Sequence, residues 1–421
     1  MLPISSWKKS IRFAAHSDIG LRRGNNQDSF LVKTASTAKD WLDWGHLFVL
    51  ADGMGAHVAG EVASRLAVET VVKSYTSHSA PPNRSLVQAL FDAHQAIRSR
   101  GDQEAYRAMG TTCDALALTP QGFFIAHVGD SRVYRLRGNN FEQLTFDHSL
   151  VWEVCAATNS PFDHPPHHIP KNQITRSLGP TEKLVVDLEG PLPIQVGDIF
   201  LSCSDGLSGQ VSDVEIGQIL SVFPPDLAIE TLINIANLRG GPDNITIIVA
   251  QTLEDEHDNE EVEQAMKVSL KYWGVFGLTL LSVFGIAASF IWGNAFLSTL
   301  FGVLAVVLAT IFFSLTKKTL FSGSPFQPSC EPTGKAPYRQ WHCVPTSDFT
   351  QSLVQILNEL RQATRSRQFD INSDEAGLCE KRADVAFQKK DYAESIRQYA
   401  MAINFLMREL KNKRVKKNNA P

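Results

Sequence analysis

The chain has 421 residues, a formal net charge of −4 and 43% hydrophobic residues. That length is enough for two or three domains, and the nearly neutral balance gives no sign of a chain built to bind nucleic acid. Cys113, Cys155, Cys203, Cys330, Cys343 and Cys379 are scattered without a CxxC pair, which fits a reduced intracellular setting. The opening MLPISSWKKS lacks the apolar core of a secretory signal.

Residues 11–253 read as one mixed α+β domain. Strand-like runs fall at 28–32, 47–51, 112–118, 122–128, 131–136, 199–203 and 245–252, each short, apolar or β-branched and bounded by turn residues. Amphipathic helices are expected over 59–76 and 85–99, and further helices over 213–223 and 227–238. Residues 150–171 contain Pro161, Pro165, Pro166 and Pro170 and read as an irregular surface flap. His148, His164, His167 and His168 in or beside it lack a matching thiolate pattern, so a zinc site is not expected.

An acidic stretch, 254–271, leads into 272–316. There Tyr272–Trp292 and Leu297–Leu315 are uncharged and mostly apolar, each near the ~20 residues that cross a bilayer as a helix. The short connection between them implies a tight transmembrane hairpin. Lys267 and Lys271 before it and Lys317 and Lys318 after it put both flanks on the positive side, so both soluble parts are expected in the cytoplasm, at the inner membrane. Residues 317–347 carry repeated Pro and Gly and read as a linker. Residues 348–410 form a small all-α segment. A basic tail, 411–421, closes the chain. Ala383-Asp384-Val385-Ala386-Phe387, Asp391-Tyr392, Ser395-Ile396, Tyr399 and Ala402-Ile403 have the spacing of one tetratricopeptide repeat, which would offer a surface to a protein partner.

The chemistry is concentrated where strands meet aspartates. Leu47–Ala51 runs into Asp52-Gly53, Phe123–Val128 into Gly129-Asp130, and Ile199–Cys203 into Ser204-Asp205-Gly206; Asp243-Asn244 opens the last strand. Carboxylates fixed at strand ends suit hard divalent cations. In order, Ser17-Asp18-Ile19-Gly20-x-x-Arg23-x-x-Asn26-Gln27-Asp28, Ala51-Asp52-Gly53-Met54-Gly55-x-His57, Met109-Gly110-Thr111-Thr112, Gly129-Asp130-Ser131-Arg132, Ser204-Asp205-Gly206-Leu207 and Gly240-Gly241-Pro242-Asp243-Asn244-Ile245-Thr246 resemble the metal-dependent protein serine/threonine phosphatases of the PP2C type, in their bacterial form.

That resemblance implies a four-layer α-β-β-α sandwich with two Mn²⁺ or Mg²⁺ ions and a third, weaker metal. Asp52 would bridge the two metals, with the Gly53 carbonyl on one and Asp205 and Asp243 on the other. Asp28 would orient metal-bound water, and Asp130 would hold the third ion. Arg23 would grip the phosphate, and His57 would act as general acid for the leaving alkoxide. The reaction implied is direct attack on phosphoserine or phosphothreonine by a metal-activated hydroxide. The substrates would be phosphorylated proteins, and the enzyme would oppose a serine/threonine kinase. Asp18 reads as a turn residue, and Arg132 receives no role.

Overall fold

The computed structural model describes residues 11–55, 59–77, 80–103, 108–162, 169–170, 173–253, 333–366 and 374–418. The expected transmembrane hairpin at 272–316, its acidic approach at 254–271 and the candidate acid His57 lie outside the described residues. Among the described residues, no helix is long and apolar enough to cross a membrane.

Two antiparallel sheets lie face to face. One has the order β1(Ile11–Asp18), β11(Ile245–Thr252), β10(Ile199–Cys203), β7(Arg132–Arg137), β8(Asn140–Gln143), β12(Arg339–His342). The other runs β2(Asp28–Lys33), β3(His46–Met54), β5(Cys113–Thr119), β6(Gly122–Val128), β9(Asp187–Leu192), with β4(Gly110–Thr111) on the end of β3. Side chains alternate across each strand, so one run of apolar residues serves two cores. Phe48, Leu50, Phe123, Val133, Phe200 and Ile248 fill the space between the sheets. Leu47, Val49 and Ala51 face the helices α2(Ala59–Ser77) and α3(Pro82–Gly101), while Leu201, Ile245 and Ile247 face α6(Asp213–Val222) and α7(Pro225–Leu238). This is the α-β-β-α arrangement. A short helix, α1(Ala38–Asp43), and a single-turn helix, α5(Asp205–Ser208), complete the domain together with α4(Leu150–Thr158).

The structure departs from the sequence expectations at three places. The flap expected to be irregular from 150 begins as α4, because its prolines start only at Pro161 and Ser149 caps the helix by accepting the Trp152 amide. The linker expected at 317–347 contains β12, which pairs with β8 and extends the first sheet. Tyr338-Arg339-Gln340-Trp341 supplies the large side chains that a strand favours. Just before β12, the Tyr338 hydroxyl and the Ala336 amide donate to the Glu189 carboxylate.

The segment expected at 348–410 is not a separate repeat. Its helices α8(Ser347–Ser366), α9(Asp374–Gln388) and α10(Tyr392–Asn418) share one apolar core with α6 and α7, through Leu353, Ile356, Leu357, Ile403 and Leu406. The described residues before 254 and after 329 belong to one compact unit. The sandwich therefore carries a fifth, helical layer.

Candidate active site

The register of β2 against β3 sets Asp28 directly opposite Asp52. The Asp52 backbone is locked on both sides. Its amide donates to Thr112 Oγ1 at 2.9 Å, and its carbonyl accepts from the Thr112 amide and from Thr111 Oγ1. Asp28 is only 7% exposed. Its Oδ2 accepts from Ser204 Oγ at 2.8 Å and from Thr246 Oγ1 at 2.7 Å, which ties β2 of one sheet to the ends of β10 and β11 of the other. Asp205 opens α5 immediately after β10.

Asp243 sits in the turn before β11. Beside it, the Asn244 amide side chain accepts from the Gln27 amide and donates to the Ile19 and Asn25 carbonyls, stitching the first loop to this turn. Gly20 has φ +78, and a Cβ there would stand 2.1 Å from the Asp243 carbonyl oxygen, so only glycine permits this approach. Gly53 is needed for a similar reason: its Cβ would lie 2.1 Å from the Gly60 carbonyl oxygen at the start of α2. Asp18 closes an Asx turn, its Oδ1 accepting from the Gly20 amide at 2.9 Å.

The carboxylates feel one another. Loss of water first, then the charges of Asp28, Asp205, Asp130 and Asp243, raise the Asp52 pKa well above the usual range. Burial followed by the neighbouring acids pushes Asp205 up to about 6, and burial with Asp205 and Asp147 pushes Asp130 up to about 7. The buried Oδ1 atoms of Asp28 and Asp205 have no hydrogen-bond partner. Crowded acids with orphaned oxygens and little cationic compensation are the donor set that hard divalent ions neutralise. Among the described residues, however, no three His, Cys, Asp or Glu side chains are closed into a ready-made cage. Asp243 is instead held by Arg23, with Nη2 2.7 Å from Oδ2. Arg23, the expected phosphate residue, thus shields an expected metal ligand.

Those raised pKa values give a stability prediction. A carboxyl that holds its proton more tightly when folded favours folding at low pH and loses that advantage as pH climbs from the unfolded value near 4 towards the folded one. Metal-free protein should therefore become less stable between about pH 4 and 7, and Asp130→Asn should flatten that dependence. Melting curves in EDTA across this range, variant against parent, check it; identical slopes would contradict a shared carboxyl cluster.

Behind Asp130, His148 clamps the Gly129 backbone: its Nδ1 accepts the Gly129 amide at 3.0 Å and its own amide donates to the Gly129 carbonyl. Burial lowers the His148 pKa to about 4, and its Nε2 pairs with Asp187 at 2.9 Å. Arg132 makes paired hydrogen bonds to Asp147. Its guanidinium and that of Arg339 lie 5.7 and 5.6 Å from the Trp152 ring on α4. Residues beyond 330 thus brace the flap helix, a contact with no sequence signal before β12 is placed. Thr112, Ser204, Asn244 and Thr246 stand within the motifs quoted above, but their part in holding the acids and the loops beside them carried no sequence signal.

The fold is shared with solved bacterial phosphatases. A serine/threonine phosphatase of S. agalactiae matches with a TM-score of 0.52 and 32% identity, covering 58% of this chain and 100% of its own. PstP/Ppp of Mycobacterium tuberculosis matches with a TM-score of 0.50 and 33% identity, over 58% and 100% of the two chains. The family profile described as protein phosphatase 2C matches residues 21–225. PhpP, a protein phosphatase of Streptococcus pneumoniae, is 36% identical over 247 residues, 57% of this chain and 97% of its own. The chain belongs to the protein phosphatase 2C family and is a protein serine/threonine phosphatase.

Proposed function

We propose that the chain is a membrane-anchored phosphatase of phosphoserine and phosphothreonine proteins, dependent on Mn²⁺ or Mg²⁺, and that it opposes a serine/threonine kinase at the inner face of the cytoplasmic membrane. The observation that carries the metal dependence is the crowding of acids around Asp52, with Asp28 directly opposite it and the buried Oδ1 atoms of Asp28 and Asp205 left without a partner. Asp52, Asp205, Asp243 and the Gly53 carbonyl would hold two ions, and Asp130 a third. Such ions supply a water of lowered pKa as nucleophile and offset charge on the phosphoryl group.

The remaining roles belong to the chain. With Asp243 engaged by a cation, Arg23, about half exposed, is free to take two phosphoryl oxygens in a fork. Asp28, fixed by Ser204 and Thr246, holds the orientation of water beside Asp52. His57 is assigned the proton for the leaving serine or threonine oxygen on sequence position alone. The apolar spans in 272–316 support the anchor.

Turnover of phosphothreonine and phosphoserine peptides should exceed that of small phosphate esters, and the native protein should stay with membranes through a high-salt wash. Preference for small esters would point to a metabolite phosphatase. Release by salt would remove the anchor.

A further inference from the structure

The helical layer does more than cover α6 and α7. Among the described residues, three buried polar side chains are linked across the seam between α10 and α7. Asn234 Nδ2 donates to Asn404 Oδ1, and Asn404 Nδ2 donates to Thr231 Oγ1, both at 2.9 Å. A buried amide between helices adds little net stability but fixes register, because any slip leaves it unpaired. Two turns on from Asn404, on the same face of α10, Lys411 Nζ lies 3.5 Å from Asp18 Oδ2. Arg408, between them, pairs with Glu230 of α7. At this end the packing is open: a cavity of about 380 Å³ is lined by Ala14, Ile229, Ile233, Arg408 and Lys411. Here the charged pairs of Arg408 and Lys411 and the register set by Asn404 add to the apolar contacts of Leu406, Met407 and Leu410 in holding α10.

Both contacts lead to the active site. The other oxygen of Asp18 accepts from the Gly20 amide and from Asn237 Nδ2 of α7. The following amides, Leu21 and Arg22, donate to the Gly241 carbonyl. Between these two anchored loops lies the Arg23–Asp243 pair. We propose that α10 is a positioning element for the phosphatase reaction, acting through Asn404 and Lys411 on α7 and the Asp18 turn, and thereby on Arg23 and Asp243. The inference rests on the roles proposed above for those two residues.

The test uses the full chain and the variants Lys411→Ala, Lys411→Arg and Asn404→Leu. Phosphothreonine-peptide kinetics over a Mn²⁺ series are measured with melting curves and amide exchange at Leu21 and Arg22. Lys411→Ala is expected to raise KM and the Mn²⁺ half-saturation about 3- to 10-fold. Lys411 is about half exposed, so the melting temperature should move by no more than about 2 °C. Exchange at both amides should quicken, and Lys411→Arg should restore all three. Asn404→Leu is expected to reproduce the kinetic change with some loss of stability. Unchanged kinetics and unchanged exchange in both Lys411→Ala and Asn404→Leu would overturn the proposal. A parent chain without activity would count against the phosphatase roles, and the exchange rates would then decide the positioning by themselves.

Discussion

Asp52→Asn should lower kcat/KM on a phosphothreonine peptide by on the order of 10³-fold or more, in protein that remains folded. Asp52 is placed at the centre of the acidic group and its backbone is held by Thr111 and Thr112, so an amide of the same shape fits without moving the strand. The substitution removes the charge that the neighbouring acids act upon. It should therefore leave metal-free stability unchanged or raise it, while reducing the gain in melting temperature on adding Mn²⁺. Activity within ten-fold of the parent would show that Asp52 is not the central ligand.

Ending the chain at Leu253 should be severely destabilising. In this protein Ile229, Leu232, Ile233, Ile235 and Ala236 of α7 are buried in the core that the sheet shares with the added helices. Removing residues beyond 330 would uncover that face together with the edge of β8. Each large apolar side chain returned to water costs about 1.5–3 kcal/mol, so a handful is comparable to the ~5–15 kcal/mol that holds a typical domain. The fragment 1–253 is expected to aggregate or to melt more than 10 °C below the full chain, a shift of the size that follows from a few kcal/mol. Size-exclusion chromatography with melting curves checks this. A monomeric fragment melting with the parent would show that the fifth layer is an appendage.

The acids of the site were legible because each stands beside a run of apolar residues whose strand character is strong. The glycines and Asn244 came with them as parts of motifs, although what they do (close backbone approach at Gly20, the three-way clamp of Asn244) needed the structure. The edge strands were harder to read. β1 is half exposed and pairs only through β11, so its pattern carries little apolar signal. β12 joins the sheet from a distant part of the chain, and no local feature announces a partner nearly two hundred residues away. One signal was present and unread: Ala228, Ile229, Leu232, Ile233, Ile235 and Ala236 spread apolar surface over a wide arc of α7, more than one sheet covers. A second was Asn404, a polar residue on the apolar stripe of α10, where burial demands a partner.

Phosphate release from a phosphothreonine peptide by the intact chain, with Mn²⁺ and with EDTA, beside Asp205→Asn, is the most direct measurement. Release that requires Mn²⁺, stops with EDTA and is lost in Asp205→Asn is the expected result. Release that persists in EDTA or in the variant would contradict a reaction centred on these carboxylates.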